Sequence, residues 1–123
     1  MLRTYKDLKV WEKSYRLCLE IYRITKEFPK NEIYGLIAQM RRAALSIPSN
    51  IAEGYGRKTI PDYLRSLYIA HGSVGELETQ ALLSGDLGYS KEQGLSKIKE
   101  DVREVERMLK ALIKSLEIKP SKP

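Results

Sequence analysis

Apolar positions recur in alternating steps of three and four along four stretches of the chain, the spacing that keeps one stripe of a helix against its neighbours. The first seam reads Leu8, Trp11, Tyr15, Cys18, Tyr22, and the second Ile33, Ile37, Met40, Ala44, Ile47, Ile51. The third is Tyr63, Leu67, Ala70, Val74, Leu77, Ala81, and the fourth Leu95, Ile98, Val102, Val105, Leu109, Leu112, Leu116. No period-two alternation competes with them, so the pattern predicts four helices. Short connections around Pro29 to Asn31, Gly54 to Lys58 and Gly88 to Ser90 make neighbours antiparallel. The predicted fold is all-α, an antiparallel up-down-up-down four-helix bundle. It forms a single domain over residues 1–118, with a disordered tail, KPSKP, at 119–123.

Helix ends carry their own signals. Thr59 is a predicted N-cap with Pro61 in the first turn, Gly88 closes the third helix, and Ser90 with Gln93 has capping-box spacing for the fourth. The second helix contains Pro48, which removes one backbone hydrogen bond and crowds the carbonyl of Ala44 at a cost of about 3 kcal/mol or more. Its apolar seam nevertheless runs past the proline in phase, and a restart would place Ile47 at an N-cap that favours Ser, Thr, Asp or Asn. A kink within one helix is therefore predicted at Pro48. Ser46, Ser49 or Asn50 is placed to occupy backbone acceptors that the proline frees. The bend serves either a tight junction between subunits or the wrapping of the subunit's own core, and the sequence leaves both open.

Two helices are more apolar than a bundle of four requires. The polar residues of the second collect on a narrow strip, Glu32, Gln39, Arg42, Ser46, Ser49 and Glu53. Arg41 departs from that strip, and because an unpaired buried charge is costly it is expected to meet a carboxylate or the surface. On the first helix Val10, Leu17, Ile21, Ile24 and Phe28 form a second apolar row beside the Trp11 seam. That row either widens core contact or faces another molecule. Leu17, Ile21, Ile24, Phe28, Arg41 and Pro48 are the candidate interface of a homo-oligomer.

Composition narrows the chemistry. The chain has 123 residues, and a domain of that size buries roughly two thirds of the surface its unfolded form exposes. One cysteine, Cys18, allows no internal disulfide, and no Cys/His cluster offers a metal site. No apolar run approaches the roughly 20 residues that span a bilayer, and the first residues lack the apolar core of a signal peptide. A cytoplasmic protein with no membrane partner is expected. A net charge of +6 and a pI near 9.4 favour an acidic partner.

The cations are not spread evenly. Lys99, Arg103, Arg107, Lys110 and Lys114 fall at steps of three or four on one face of the fourth helix. Such a row suits sequence-independent contact with the phosphates of RNA or DNA, or is a solvated face held by pairs such as Glu106 with Lys110. Arg57 and Lys58, after the second helix, form a second candidate patch. Lys9, Lys13, Arg16 and Arg23 on the first helix share their side with Glu12, Glu20 and Glu27, and the third helix is net acidic. Base stacking needs exposed rings; Trp11, Tyr15 and Tyr22 are expected in the core, and Tyr5, Tyr55 and Tyr89 partly exposed. Catalysis finds little support. His71 is the single histidine, its expected use is a structural pair with Glu78, and no Glu-x-x-His or P-loop motif is present. No catalytic residue, metal or cofactor is predicted. The expected function is a non-catalytic oligomeric bundle that binds nucleic acid or a nucleoprotein partner, the alternative being a protein-interaction scaffold.

The runs DLKVWEKSYRL, FPKNEIYGLIAQMRRAALSIPSNIAEGYGR, YLRSLYIAHGSVGELETQ, LGYSKE and MLKALIKSLE cover almost the whole chain. They resemble the bacterial four-helix bundle family encoded in intervening sequences of large-subunit ribosomal RNA genes. This family is similar to the accessory variability determinant proteins of diversity-generating retroelements. The resemblance implies a homopentamer, and for the retroelement relatives a basic surface that binds nucleic acid and reverse transcriptase. A ribosomal component or a reverse transcriptase is thereby a candidate partner. No enzymatic activity is implied.

Overall fold

A computed structural model describes residues 2–118; the tail expected to be disordered lies outside them. Helix α1 spans Lys9–Thr25, α2 Leu36–Tyr55, α3 Ile60–Asp86 and α4 Glu92–Ile118. Single 3₁₀ turns at Tyr5–Asp7 and Lys30–Glu32 precede α1 and α2. Each helix packs on the next in the chain and α4 returns to α1, so the four close a bundle. The α2–α3 junction is the most extensive and the α1–α4 junction the least.

The third and fourth seams form the core as predicted. Leu67, Ala70, Val74, Leu77 and Ala81 are buried on α3, and Ile98, Val102, Val105, Leu109 and Leu116 on α4, while Tyr63, Leu95 and Leu112 are half-buried. Burying side chains of the Leu, Val and Ile class contributes about 1.5–3 kcal/mol each. Thr59 caps α3 by accepting the Asp62 N–H at 3.2 Å. At the other end Gly88 has a φ of +78°, and Tyr89 N–H donates to the Ser84 carbonyl at 2.9 Å, closing a Schellman turn that favours glycine there.

On α2 the buried seam is Ile37, Met40, Ala44, Ile47 and Ile51, and the helix is continuous through Pro48. It starts three residues later than its sequence pattern, leaving Ile33 exposed before it. Glu32 is the reason for that start. Its Oε1 accepts the Leu36 N–H at 3.0 Å, and its Oε2 accepts the Tyr89 hydroxyl at 2.9 Å, which ties the α2 entry to the α3–α4 connection. Both donors hold the Glu32 carboxyl below the usual carboxylate range, the Leu36 N–H most strongly.

Small residues let α2 and α3 approach closely. Ala43, Ala44 and Gly54 on α2 and Ser66, Ala70 and Ser73 on α3 are all buried. A Cβ on Gly54 would stand 2.9 Å from Ser66 Cβ and 3.2 Å from the Tyr63 carbonyl oxygen. The Ser73 hydroxyl donates to Ser46 Oγ at 2.8 Å, and Asn50 Nδ2 donates to the same oxygen at 3.0 Å and to the Ser46 carbonyl at 2.8 Å. Asn50 therefore serves Ser46 and not Ala44, whose carbonyl Pro48 leaves without its helical donor. Pro48 itself is buried within the subunit, which removes it from the candidate oligomer interface.

The first helix is rotated relative to the predicted seam. Its buried row is Val10, Ser14, Leu17, Cys18, Ile21 and Thr25, continued by Phe28, whereas Tyr15 and Tyr22 are 47% and 38% exposed and Trp11 is half-buried. Leu17, Ile21 and Phe28, expected at an oligomer interface, are thus core residues at 2%, 0% and 4% exposure. The phenol hydroxyls of the Tyr row keep water, and the aliphatic row does not need it. Ser14 and Thr25 enter the core cheaply because each hydroxyl donates back to a helix carbonyl, Ser14 to Trp11 at 2.9 Å and Thr25 to Ile21 at 2.7 Å. Two further local expectations are corrected. Ser90 pairs with Ser84 at 2.9 Å and does not cap α4, which begins at Glu92. A capping box forms instead at Thr4 and Asp7.

Candidate nucleic-acid interface

The basic stripe of the fourth helix is a direct consequence of helical geometry. With Ile98, Val102, Val105 and Leu109 turned into the bundle, a rotation of 100° per residue places Arg103, Arg107, Lys110 and Lys114 within one outward arc. The row from Lys99 to Lys114 runs about 22 Å at 1.5 Å per residue. Arg103, Arg107, Lys110 and Lys114 are exposed, and Lys99 is half-buried at the edge.

Their charges are matched unequally. Arg107 lies 3.6 Å from Glu104, and Lys110 3.9 Å from Glu106. Among the described residues no carboxylate comes within 4 Å of Lys99, Arg103 or Lys114. The acids that border the stripe are drawn to other helices. Glu104 takes the Lys13 ammonium of α1 at 2.7 Å, which lowers its carboxyl pKa and raises that of Lys13 through the same hydrogen bond. Glu106 faces His71 Nε2 at 3.6 Å, and Glu117 accepts the Tyr68 hydroxyl from α3. His71 thus meets Glu106 of α4, not Glu78 as its spacing in α3 predicted.

Arg57 and Lys58 do not extend the stripe. Arg57 is paired with Glu53 one turn back on α2, which cancels half of the second candidate patch, and Lys58 is exposed beside it. Arg41, expected to meet a carboxylate or the surface, meets no carboxylate among the described residues and is partly exposed. Its Nε donates to Thr25 Oγ1 at 2.9 Å, Nη2 to the Tyr22 carbonyl at 3.4 Å, and the guanidinium lies 4.7 Å from the Tyr22 ring centroid. Ile24 lines a groove of about 700 Å³ between α1 and the start of α4, with Arg23, Tyr89, Gly94 and Lys97.

The cluster that sequence spacing did not find is cross-helical. Asp101, 6% exposed, sits between Lys13 at 3.6 Å and Lys97 at 3.2 Å, so α1 and α4 are joined by ions at their most open junction. Lys97 and Asp101 stand four residues apart and were visible as a helical pair; Lys13 was not. Among the described residues no group of three or more His, Cys, Asp or Glu side chains is placed to hold a metal ion. No helix among them is long and apolar enough to cross a membrane.

The geometry defines a four-helix bundle whose fourth helix carries a row of cations along its outer wall. The chain belongs to the 23S rRNA-intervening sequence protein family, whose model matches residues 6–111. A crystal structure from Bacteroides thetaiotaomicron VPI-5482, described as a protein with unknown function from the S23 ribosomal protein family, shares the fold. The TM-score is 0.77 at 24% identity, covering 85% of this chain and 98% of that one. No curated protein matches the chain.

Proposed function

We propose that this protein is a non-catalytic, cytoplasmic homo-oligomer that binds the backbone of RNA or DNA through the outer wall of α4. The observation that carries the reading is the row of cations on that wall, three of them, Lys99, Arg103 and Lys114, without a carboxylate in reach among the described residues. Pairing to a polyanion releases counterions and needs no base reading, which fits a row that offers charges and no aromatic ring between them. The net charge of +6 draws any polyanion toward the chain. A family description that names a 23S rRNA-intervening sequence supports RNA as the polyanion, free or within a ribosomal component or reverse transcriptase complex. The resemblance implies five copies in the oligomer.

Binding to single-stranded RNA at two salt concentrations tests this. Replacing Arg103, Arg107 and Lys110 together by Gln is expected to flatten the log–log salt slope by about 2, at roughly 0.7 per phosphate-bound charge for single strands, with helicity unchanged. Parental binding and slope in the triple variant would remove the stripe from the interface. The rival reading, a protein-interaction scaffold without nucleic acid, is favoured by the exposed Tyr15, Leu19, Tyr22 and Leu45. It predicts no RNA binding at either salt.

A further inference from the structure

We infer that His71 tunes the RNA-binding wall by pH: when its imidazole takes a proton, Glu106 is drawn from Lys110 to His71, and the freed lysine joins the phosphate contacts. The inference rests on the nucleic-acid half of the proposed function and is independent of its self-association half.

His71 and Lys110 share one carboxylate. Glu106 Oε2 lies 3.6 Å from His71 Nε2 of α3 and 3.9 Å from the Lys110 ammonium one turn on along α4. Among the acids that border the stripe, Glu106 alone is held by a histidine. Glu104 is held by Lys13 at 2.7 Å and Glu117 by the Tyr68 hydroxyl, and lysine and tyrosine titrate far above neutrality. His71 Nε2 is buried and has no hydrogen-bond partner among the described residues. From α4 the groups that face the imidazole are Glu106 and, beyond it, Lys110. On α3 the titratable residues at helical spacing are Tyr68, whose hydroxyl goes to Glu117, and Glu78, which no cation approaches within 4 Å among the described residues. The α2 helix meets the other flank of α3, where Ser46 bonds Ser73.

Protonation changes what that carboxylate does. Beside a neutral imidazole Glu106 is a full anion at the α3 edge of the stripe, paired one turn away with Lys110 by an exposed contact of about 0.3–0.5 kcal/mol. A histidinium Nε2–H is a donor to it. Charge-assisted N–H···O⁻ bonds run about 2.7–2.9 Å, so the two side chains have less than about 1 Å to close. The anion is then matched across the α3–α4 junction, and Lys110 joins Lys99, Arg103 and Lys114, which have no carboxylate in reach among the described residues. The wall gains one cation with no change of fold. Histidine is the one side chain whose ordinary range puts its charge change between about pH 5 and 8, and the chain has a single one. Burial pushes the Cys18 thiol up, away from that interval.

The test is the affinity and salt slope for a short single-stranded RNA without terminal phosphates, at about pH 5.5 and about pH 7.5, which bracket histidine titration. The parent is expected to bind about fivefold tighter at the lower pH in about 0.1 M salt, the effect of one added contact at roughly 0.7 in log–log slope. His71→Gln is expected to bind at both pH values as the parent does at the higher one, and Glu106→Gln at both as the parent does at the lower. Lys110→Gln, which keeps the His71–Glu106 pair, is expected to bind more weakly and with no pH response. Circular dichroism of parental strength in each variant shows that the helices are intact. Equal parental binding at the two pH values overturns the inference and leaves the nucleic-acid reading standing. A response that survives in Lys110→Gln also overturns it, because the added charge then acts without releasing that lysine. Absence of RNA binding at both pH values overturns the inference and the nucleic-acid reading together.

Discussion

Gly54 has no room for a side chain. A Cβ there would stand 2.9 Å from both Ser66 Cβ and Tyr63 Cδ1 and 3.2 Å from the Tyr63 carbonyl oxygen, so α2 and α3 would have to part. Gly54→Ala is expected to cost about 1–3 kcal/mol, the usual range for overpacking, measured by chemical denaturation. Gly72→Ala goes the other way. Its Cβ would meet nothing within 4 Å, and in a background that prevents assembly the change is expected to stabilise the chain by about 1 kcal/mol, the helix-propensity difference. The same chemical change with opposite signs distinguishes a glycine that packs from one that only loosens its helix. Glu32 supplies a pH signature. Its carboxyl is held below the ordinary 4.5, first by the Leu36 N–H and then by the Tyr89 hydroxyl, and Glu104 is lowered likewise by Lys13. A carboxylate depressed in the folded state contributes stability above its unfolded value and loses it as pH falls through the folded one. The melting temperature is therefore expected to fall with acidification below about 4.5, and Glu32→Gln to lower it at neutral pH while making the acid limb shallower. An unchanged acid limb in Glu32→Gln would show that the contact to α2 carries no linkage.

Two rows of α1 compete for the core, and the choice between them is a property of the whole helix. Val10, Ser14, Leu17, Ile21, Thr25 and Phe28 follow steps of three and four as regularly as Leu8, Trp11, Tyr15, Cys18 and Tyr22 do. A hydropathy pattern favours the second set because Ser14 and Thr25 interrupt the first. What decides is hydrogen bonding invisible to the pattern: both hydroxyls close on carbonyls of their own helix and cost little to bury, while Arg41 of α2 lies over the face of the Tyr22 ring. Ile21→Ala is expected to cost about 2–5 kcal/mol, a core truncation. Tyr15→Ala is expected to cost about 1 kcal/mol or less, since it gives up chiefly a stack on Trp11. Equal losses would restore the predicted seam. Helices α3 and α4 were legible because one apolar row in each keeps its phase over the whole length, although α3 also exposes Ile69, Leu82 and Leu83 outside it, and α2 was legible through Pro48 because its phase never broke. The start of α2 was not, since it depends on a carboxylate four residues upstream and a tyrosine from the α3–α4 connection. The stripe on α4 could be read from spacing alone. Which of its charges stay unmatched could not, because Glu104, Glu106 and Glu117 are claimed by Lys13, His71 and Tyr68 from other helices.

At the scale of the whole molecule the proposed nucleic-acid wall and the exposed apolar face lie on different helices, so binding and assembly can be separated. The stripe is on α4, whereas Tyr15, Leu19 and Tyr22 are exposed on α1 and Leu45 on α2. A single row of five cations on an exposed helix gives weak contact to any one strand, and surface charges of this kind are further weakened by salt. Assembly changes the arithmetic. A cyclic arrangement repeats the α4 wall once per copy, and a strand long enough to reach several walls gains avidity that a short one does not, on the order of 10² in affinity or more. Tyr22→Glu with Leu45→Glu, aimed at assembly through that apolar face, leaves α4 untouched and is therefore expected to bind short oligonucleotides as the parent does and to lose on the order of 10² in affinity for long strands. The triple Gln variant of Arg103, Arg107 and Lys110 is expected to lose affinity for both lengths while keeping the parental mass. Electrophoretic mobility shift of the two variants on one short and one long RNA, at a fixed low salt, reads all four combinations. If disrupting assembly weakens short and long strands alike, the association contact and the nucleic-acid contact share residues, and the separation of walls is wrong. If it weakens neither, each chain engages RNA on its own and the oligomer serves another purpose.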